Sequence, residues 1–317
     1  MLNVLRRGQA ACQTETPGPG WRPDDDVLWI DLLKPTREEE LVVEEALGVQ
    51  LPTIEEMEAL EPSSRLYQEG GATFMTATLL ARGDQPTPVA TPATFVLAKG
   101  RLVTLRYEDL KAFSVFQSRA PESGTASGSA ALLGLLDAIV ERVGQVLDAT
   151  GDRVEAASTA IFKRPAGGDF RPLLTGLAQA QSVTALTRMS LVSVGRLLSF
   201  AALATEIAGD AECRAHLRSL QRDAQSLTDH ADHQSSHVAF LLDAALGLIN
   251  IEQNGIIKFF SVVAVVFMPP TLIASIYGMN FDVLPELHYK LGYPLALVAM
   301  LIAAILPYVW FKRRGWL

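Results

Sequence analysis

Hydrophobic positions are arranged in three different ways along this chain. From about Val27 to Leu110, short runs rich in β-branched and aromatic residues (VLWIDLL, ATFMTATLL and TPATFVLAKGRLVTLRY) alternate with acidic stretches of helical period, such as TREEELVVEEALG and TIEEMEALEP. Strand-length apolar runs interleaved with amphipathic helices predict an α/β domain. From Ser127 the strand-like runs stop, and three long helices are predicted over Ser127–Phe162, Phe170–Ile207 and Ala211–Ile276. Their breaks fall at KRPAGGD and AGDAE, where proline, glycine and aspartate interrupt the period. The third arrangement is uninterrupted apolarity: 23 uncharged residues from Phe259 to Phe281 and 21 from Leu291 to Phe311.

About 20 helical residues cross a hydrocarbon core, so both runs are predicted to span a bilayer. The alternative, a pair of buried helices in a soluble core, would show shorter runs and a polar face. The connection FDVLPELHYK carries Asp282 and Glu286 against Lys290, whereas three cations follow the second run in KRRGWL. An excess of lysine and arginine marks the cytoplasmic side, so the connection is expected outside and both termini inside. MLNVLRRGQA lacks the apolar core of a signal peptide, which keeps the amino-terminal region in the cytoplasm. The expected class is α+β with membrane helices. Its parts are a cytoplasmic α/β domain (1–126), a helical region and stalk (127–255), a first span (256–276), an external loop (277–290), a second span (291–311) and a basic terminus (312–317).

Composition sharpens this picture. Apolar residues make up 49% of the chain, high for a wholly soluble protein. A net charge of -8 without a basic stripe argues against nucleic acid as a partner. Cys12 and Cys213 belong to no CxxC or Cys/His pattern, which suggests a reducing compartment and inert packing thiols. Neither a Walker loop, a nucleophile elbow nor an HExxH pattern is present, so no enzymatic activity is expected.

No proline occurs between Ala211 and Met268, and helix over that whole third stretch measures about 100 Å, of which only about 30 Å fits in a membrane. A stalk in the cytoplasm follows. Alternating steps of four and three place Ser275, Thr271, Met268, Ala264, Ser261, Ile257, Asn254, Asn250, Gly247 and Asp243 on one stripe of small, polar and modestly apolar groups. Phe259, Phe260, Val262, Val263, Val265, Val266, Phe267, Leu272 and Ile273 occupy the other faces. Two spans cannot enclose a pore, so a conduit along the stripe requires a ring of subunits with the first span innermost. Asp243 would then form a carboxylate ring, and Asn254 and Thr271 oxygen rings, suited to hydrated divalent cations. Alternatively, small and polar residues of this kind only permit close helix packing. Met268 is followed by Pro269 and Pro270, which leave the carbonyls of Val265 and Val266 without helical donors. Such a site is tolerated best where it faces protein or a water-filled cavity, a simple kink being the other reading.

His230, His233 and His237 share one helical face beside Asp229 and Asp232, a spacing able to hold zinc, cobalt or nickel. Solvated histidines on a stalk are the commoner case.

The stretch YGMNF at 277–281 is preceded by FMPPTLIAS and followed by LPEL, the second span and KRRGWL. Together with WIDL at 29–32 and INIEQN at 249–254, it resembles the CorA family of magnesium transport proteins. Leu284 departs from the family's methionine at that position, an apolar exchange of small consequence. The resemblance implies a homopentamer in a bacterial inner membrane, with a cytoplasmic α/β/α domain, a stalk helix continuing into the pore and a peripheral second span. It assigns Gly278, Met279 and Asn280 to ion selection at the entrance, and magnesium, with cobalt or nickel, as cargo. Magnesium dehydrates reluctantly, so the Gly278 carbonyl and the Asn280 amide oxygen are expected to greet its water shell. Gly278 would allow backbone angles and a close approach closed to bulkier residues. Met279, with its soft sulfur, is expected to pack rather than coordinate. Asp282 and Glu286 either concentrate cations or are an ordinary solvated loop.

The resemblance also sets Asn254, Met268 and Thr271 along the pore, Met268 as part of an apolar constriction, and Phe260 at a hydrophobic gate. The stripe has Ser261 there instead, a difference of about 100° of rotation. Cytoplasmic magnesium bound between subunits would control opening, so the ion is both cargo and regulator and no further cofactor is implied. Two rivals remain from the sequence: a proton-coupled zinc carrier, and a membrane-anchored sensor or scaffold that passes no ion.

Overall fold

A computed structural model describes residues 1–317 except 10, 19, 60, 86, 121–124, 164–168, 280–288 and 316–317. Along the chain the elements are β1 (Leu2–Arg6), β2 (Gln13–Glu15), β3 (Val27–Leu33), α1 (Arg37–Leu47), α2 (Ile54–Glu58), α3 (Pro62–Arg65), β4 (Leu66–Glu69), β5 (Ala72–Ala81), β6 (Val89–Ala98), β7 (Arg101–Arg106), α4 (Lys111–Arg119), α5 (Gly128–Lys163), α6 (Arg171–Ala201), α7 (Thr205–Ala208), α8 (Ala211–Tyr277) and α9 (Gly292–Arg313). Two compact units result: Met1–Lys163 with Arg171–Leu242, and Asp243–Leu317 with Arg164–Phe170.

Local chemistry accounts for many boundaries in the first unit. Thr36 and Glu39 form a reciprocal capping box at the start of α1, and Thr53 and Glu56 form another at α2. Each satisfies two backbone donors that a helix start leaves without partners. The turn between β4 and β5 is Gly70-Gly71, with φ of 59° and 79°, the left-handed geometry that a two-residue hairpin needs and glycine adopts freely. The seven strands pair in the order β2-β1-β3-β7-β6-β5-β4, antiparallel except for the parallel neighbours β3 and β7.

Strand side chains alternate between the two faces of this sheet. Leu2, Val4, Ile30, Leu32, Phe74 and Val96 pack with Val43 and Leu47 of α1 and Met57 of α2. On the other face Leu5, Trp29, Met75 and Phe95 join Phe113 of α4, Leu132 of α5, Leu197 of α6, Ile207 of α7 and Leu217 of α8. The result is an α/β/α sandwich. The strand-rich part and the helices that follow it, read above as successive regions, thus share one hydrophobic core.

Polar contacts then fix positions that burial alone leaves free. Asp31 and Arg106 are 0% and 2% exposed and meet at 2.9 Å, diagonally across the parallel strands, where Asp31 is level with Thr104 and Arg106 with Leu33. The Asp31 carboxylate also accepts hydrogen bonds from Thr104 Oγ1 at 2.8 Å, Arg106 Nε at 3.1 Å and Gln117 Nε2 at 3.3 Å. The guanidinium lies 4.4 Å from the Phe113 ring centroid, which ties α4 to the same pair. At the far side of the sheet, β4 covers β5 only from Ala72 to Met75. Beyond it, the free amides of Thr78 and Leu80 donate to Ser193 Oγ at 2.8 Å and Ser190 Oγ at 3.3 Å on α6. The helix therefore closes an edge that would otherwise be open to strand addition.

The α5–α6–α8 contact holds a second polar group. Thr184 Oγ1 donates to Gln234 Oε1 at 2.9 Å, Gln234 Nε2 donates to the Leu147 carbonyl at 3.2 Å, and Gln181 Nε2 donates to Ser235 Oγ at 2.8 Å. Gln234 is 5% exposed, so these bonds can form only at one register of α8 against the hairpin of α5 and α6.

One helix differs from expectation. The stretch Phe170–Ile207 is broken after Ala201, where Leu203 and Ala204 amides bond back three residues to Phe200 and Ala201. The turn directs Ala204 and Ile207, both 0% exposed, into the core, which a straight continuation would not do. At the two prolines the opposite holds: α8 continues through Pro269 and Pro270 to Tyr277.

Candidate functional site

Among the described residues, two helices are long and apolar enough to cross a membrane: α8, through its segment in the second unit, and α9. One side of the α8 segment is covered: Val262 is 5% exposed, and Val266, Pro269 and Ile273 are half-buried. Pro269 shares a groove with Ala303 and Pro307 of α9, and Phe311 is 7% exposed. At 100° per residue, the midpoint of the stripe from Asn254 to Ser275 lies roughly 150° around the helix from that covered side.

Every member of the stripe is exposed: Asp243, Gly247, Asn250, Asn254, Ile257, Ser261, Ala264, Met268, Thr271 and Ser275. Among the described residues, no side-chain partner is present for Asp243, Asn250, Asn254, Ser261 or Ser275. Thr271 Oγ1 donates to the Phe267 carbonyl at 2.7 Å, so its proton is used within the helix and its lone pairs point outward as acceptors. Polar groups at membrane depth require water or other protein around them. A face of this kind, turned away from the chain's own second span, is suited to an aqueous lumen or to a subunit contact.

Phe260 is 65% exposed and neighbours Ser261, so both stand on the open side of α8. Met268 is 67% exposed on the same stripe. At the helix end the Gly278 amide donates to the Ala274 carbonyl at 3.0 Å, and the Met279 amide to Ile276 at 3.3 Å. The expected need for unusual backbone angles at Gly278 is corrected here, because its φ is not positive. A Cβ there would stand 3.2 Å from the Ala274 oxygen, the acceptor of the Gly278 amide itself, as in any continuing helical turn. Asn280, Asp282 and Glu286 lie outside the described residues.

His230 and His233 are exposed and His237 is half-buried along α8. The neighbouring carboxylates are engaged elsewhere, Asp232 with Arg188 and Asp229 with Gln225. Among the described residues, no group of three or more histidine, cysteine, aspartate or glutamate side chains converges to hold a metal ion. A shared face on one helix spreads its members along the axis, and α5 and α6 bring no further ligand to them. Burial raises the Cys12 thiol to about 11, with Asp31 adding to the effect, and burial also raises that of Cys213.

Sequence reading passed over the pairing of Asp31 with Arg106. Its signal was present as a lone acid inside the apolar run VLWIDLL, but the partner lies on a strand far along the chain.

Comparison with known proteins agrees with this architecture. The profile of the CorA-like Mg2+ transporter protein family matches residues 24–313. The magnesium transport protein CorA of Pasteurella multocida is 36% identical over 295 residues, covering 92% of this chain and 93% of that one. Its namesake from Escherichia coli K12 is 35% identical over 298 residues, covering 93% and 94%. In three dimensions, the complete structure of the CorA magnesium transporter from Methanocaldococcus jannaschii superimposes with a TM-score of 0.80 at 18% identity, covering 100% of this chain and 99% of that one. Full-length CmaX has the same fold, with a TM-score of 0.71 at 17% identity, covering 98% and 96%. The chain belongs to the CorA family of magnesium transport proteins.

Proposed function

We propose that five copies of this chain assemble in the bacterial inner membrane, with their α8 spans around a water-filled axis, and pass hydrated magnesium into the cell. The observation that carries this reading is the stripe from Asp243 to Ser275: small, polar and modestly apolar groups, all exposed and opposite the side that α9 covers. Around a five-fold axis, Asn254 and Thr271 supply rings of oxygen acceptors to a cation's water shell, and Asp243 supplies negative charge at the cytoplasmic end. Met268 forms the apolar constriction, Ser261 faces the lumen and Phe260 borders it.

Gly278 and Asn280 receive the hydrated ion at the outer mouth, where Met279 packs and Asp282 and Glu286 enrich cations. Cobalt and nickel, with similar octahedral hydration, follow the same path. An inside-negative potential contributes about 4.6 kcal/mol per 100 mV for a divalent ion, enough to drive uptake without proton coupling. Cytoplasmic magnesium between neighbouring subunits holds the ring closed, and its loss lets like charges separate. Influx into liposomes carrying purified protein tests this directly, with Asn280→Ala beside wild type across magnesium, cobalt, nickel and zinc. Wild-type magnesium influx that the substitution abolishes or makes unselective supports the reading. Absence of any divalent flux would favour the sensor or scaffold, and uptake driven only by a pH gradient would favour the proton-coupled carrier.

A further inference from the structure

A groove of about 500 Å³ runs along one flank of the α8–α9 pair, and the residues lining it are all apolar. Val265 and Pro269 form its α8 wall; Ala303, Leu306, Pro307 and Trp310 form the α9 wall. Three of these are open to the surroundings, with Val265 42%, Leu306 65% and Trp310 51% exposed.

Helical spacing continues both walls to a cation at the same end. Lys258 lies seven residues before Val265 and eleven before Pro269, hence on the same face. Arg314 lies seven residues after Pro307 and eleven after Ala303, and its guanidinium sits 5.4 Å over the Trp310 ring. Because the chain enters the membrane along α8 and returns along α9, Lys258 and Arg314 both belong to the cytoplasmic boundary. Among the described residues, no carboxylate lies within ion-pair distance of Lys258, Lys312, Arg313 or Arg314. An apolar channel capped by uncompensated cations at headgroup depth matches an anionic amphiphile, since basic residues at this level attract anionic lipid.

We propose that this groove holds an acyl chain of an anionic phospholipid of the cytoplasmic leaflet, with the headgroup phosphate between Lys258 and Arg314. The inference rests on the reading that α8 and α9 cross a bilayer, and not on ion flux, so a failed flux assay leaves it standing. Native mass spectrometry of the full-length assembly provides the test, with phosphatidylglycerol and phosphatidylcholine of identical chains added at equal concentration. Retention of phosphatidylglycerol over phosphatidylcholine is expected. Lys258→Gln with Arg314→Gln should reduce that preference on the order of 30-fold, from about fivefold per charge. Ala303→Phe, which fills the groove, should lower retention of both lipids. Assembly mass in the same spectra reports whether each variant is intact. Soluble glycerol phosphate, which has the phosphate without the chains, should neither be retained nor compete. Equal retention of the two lipids by wild type overturns the proposal. So does unchanged retention by Ala303→Phe.

Discussion

Replacing Asp31 by asparagine removes a charge but little volume from the centre of the sheet. Arg106, at 2% exposure, would then keep a neutral amide oxygen at position 31, the Phe113 ring, the Glu108 carbonyl at 3.1 Å and, as its one anionic partner, the largely exposed Asp109 carboxylate at 3.3 Å. Stripping one partner from a buried pair costs about 3–5 kcal/mol, because the remaining charge is left uncompensated out of water. Asp109 offsets part of that, so the lower end, about 3 kcal/mol, is expected for Asp31→Asn. Arg106→Met leaves Asp31 with Thr104, Gln117 and Asn3 as neutral donors and should cost a similar amount. The double variant loses the charges together, so its cost should fall short of the sum by about 2 kcal/mol, a coupling typical of residues in one network. Thermal unfolding of the full-length protein in detergent is the assay. At roughly 2–4 °C per kcal/mol for a protein of this size, Asp31→Asn should lower the midpoint by about 6–12 °C. A shift under 2 °C, or strictly additive single and double variants, would refute the view that this pair anchors β3 to β7.

Three further outcomes are expected. Gln234→Leu should destabilise the protein by about 1–3 kcal/mol, chiefly through the buried Thr184 hydroxyl that loses its partner, and Thr184→Val in the same chain should recover part of that loss in a denaturant melt. Because the Cys12 thiol titrates near 11 against an ordinary 9.0, its thiolate fraction at pH 8 is about 100-fold below normal; alkylation should be correspondingly slow in the native protein, rise tenfold per pH unit towards pH 11, and recover in urea. Cysteine at Asn254, Ser261 or Thr271 should make flux sensitive to cadmium added to the aqueous phase, whereas cysteine at Val262 or Val266, on the covered side, should not.

Much of this protein is written in short-range signals. Run length and the absence of charge pick out the two candidate spans, since a bilayer sets a minimum of apolar residues whatever surrounds them. Threonine followed three residues later by glutamate at Thr36 and Thr53 marks the helix starts, because a cap is satisfied within one turn. The stripe from Asp243 to Ser275 is likewise a property of one helix's periodicity, and the family itself was legible through a resemblance carried by contiguous residues. Tertiary structure alone decided that Asp31 meets Arg106, that Gln234 bridges α5 and α6, that serines of α6 close the edge of β5, and that Val262 rather than Ser261 is the covered position. Each depends on groups far apart in the chain, whose hydrogen-bonding needs are blind to sequence distance and are met only once the backbone has brought the elements together.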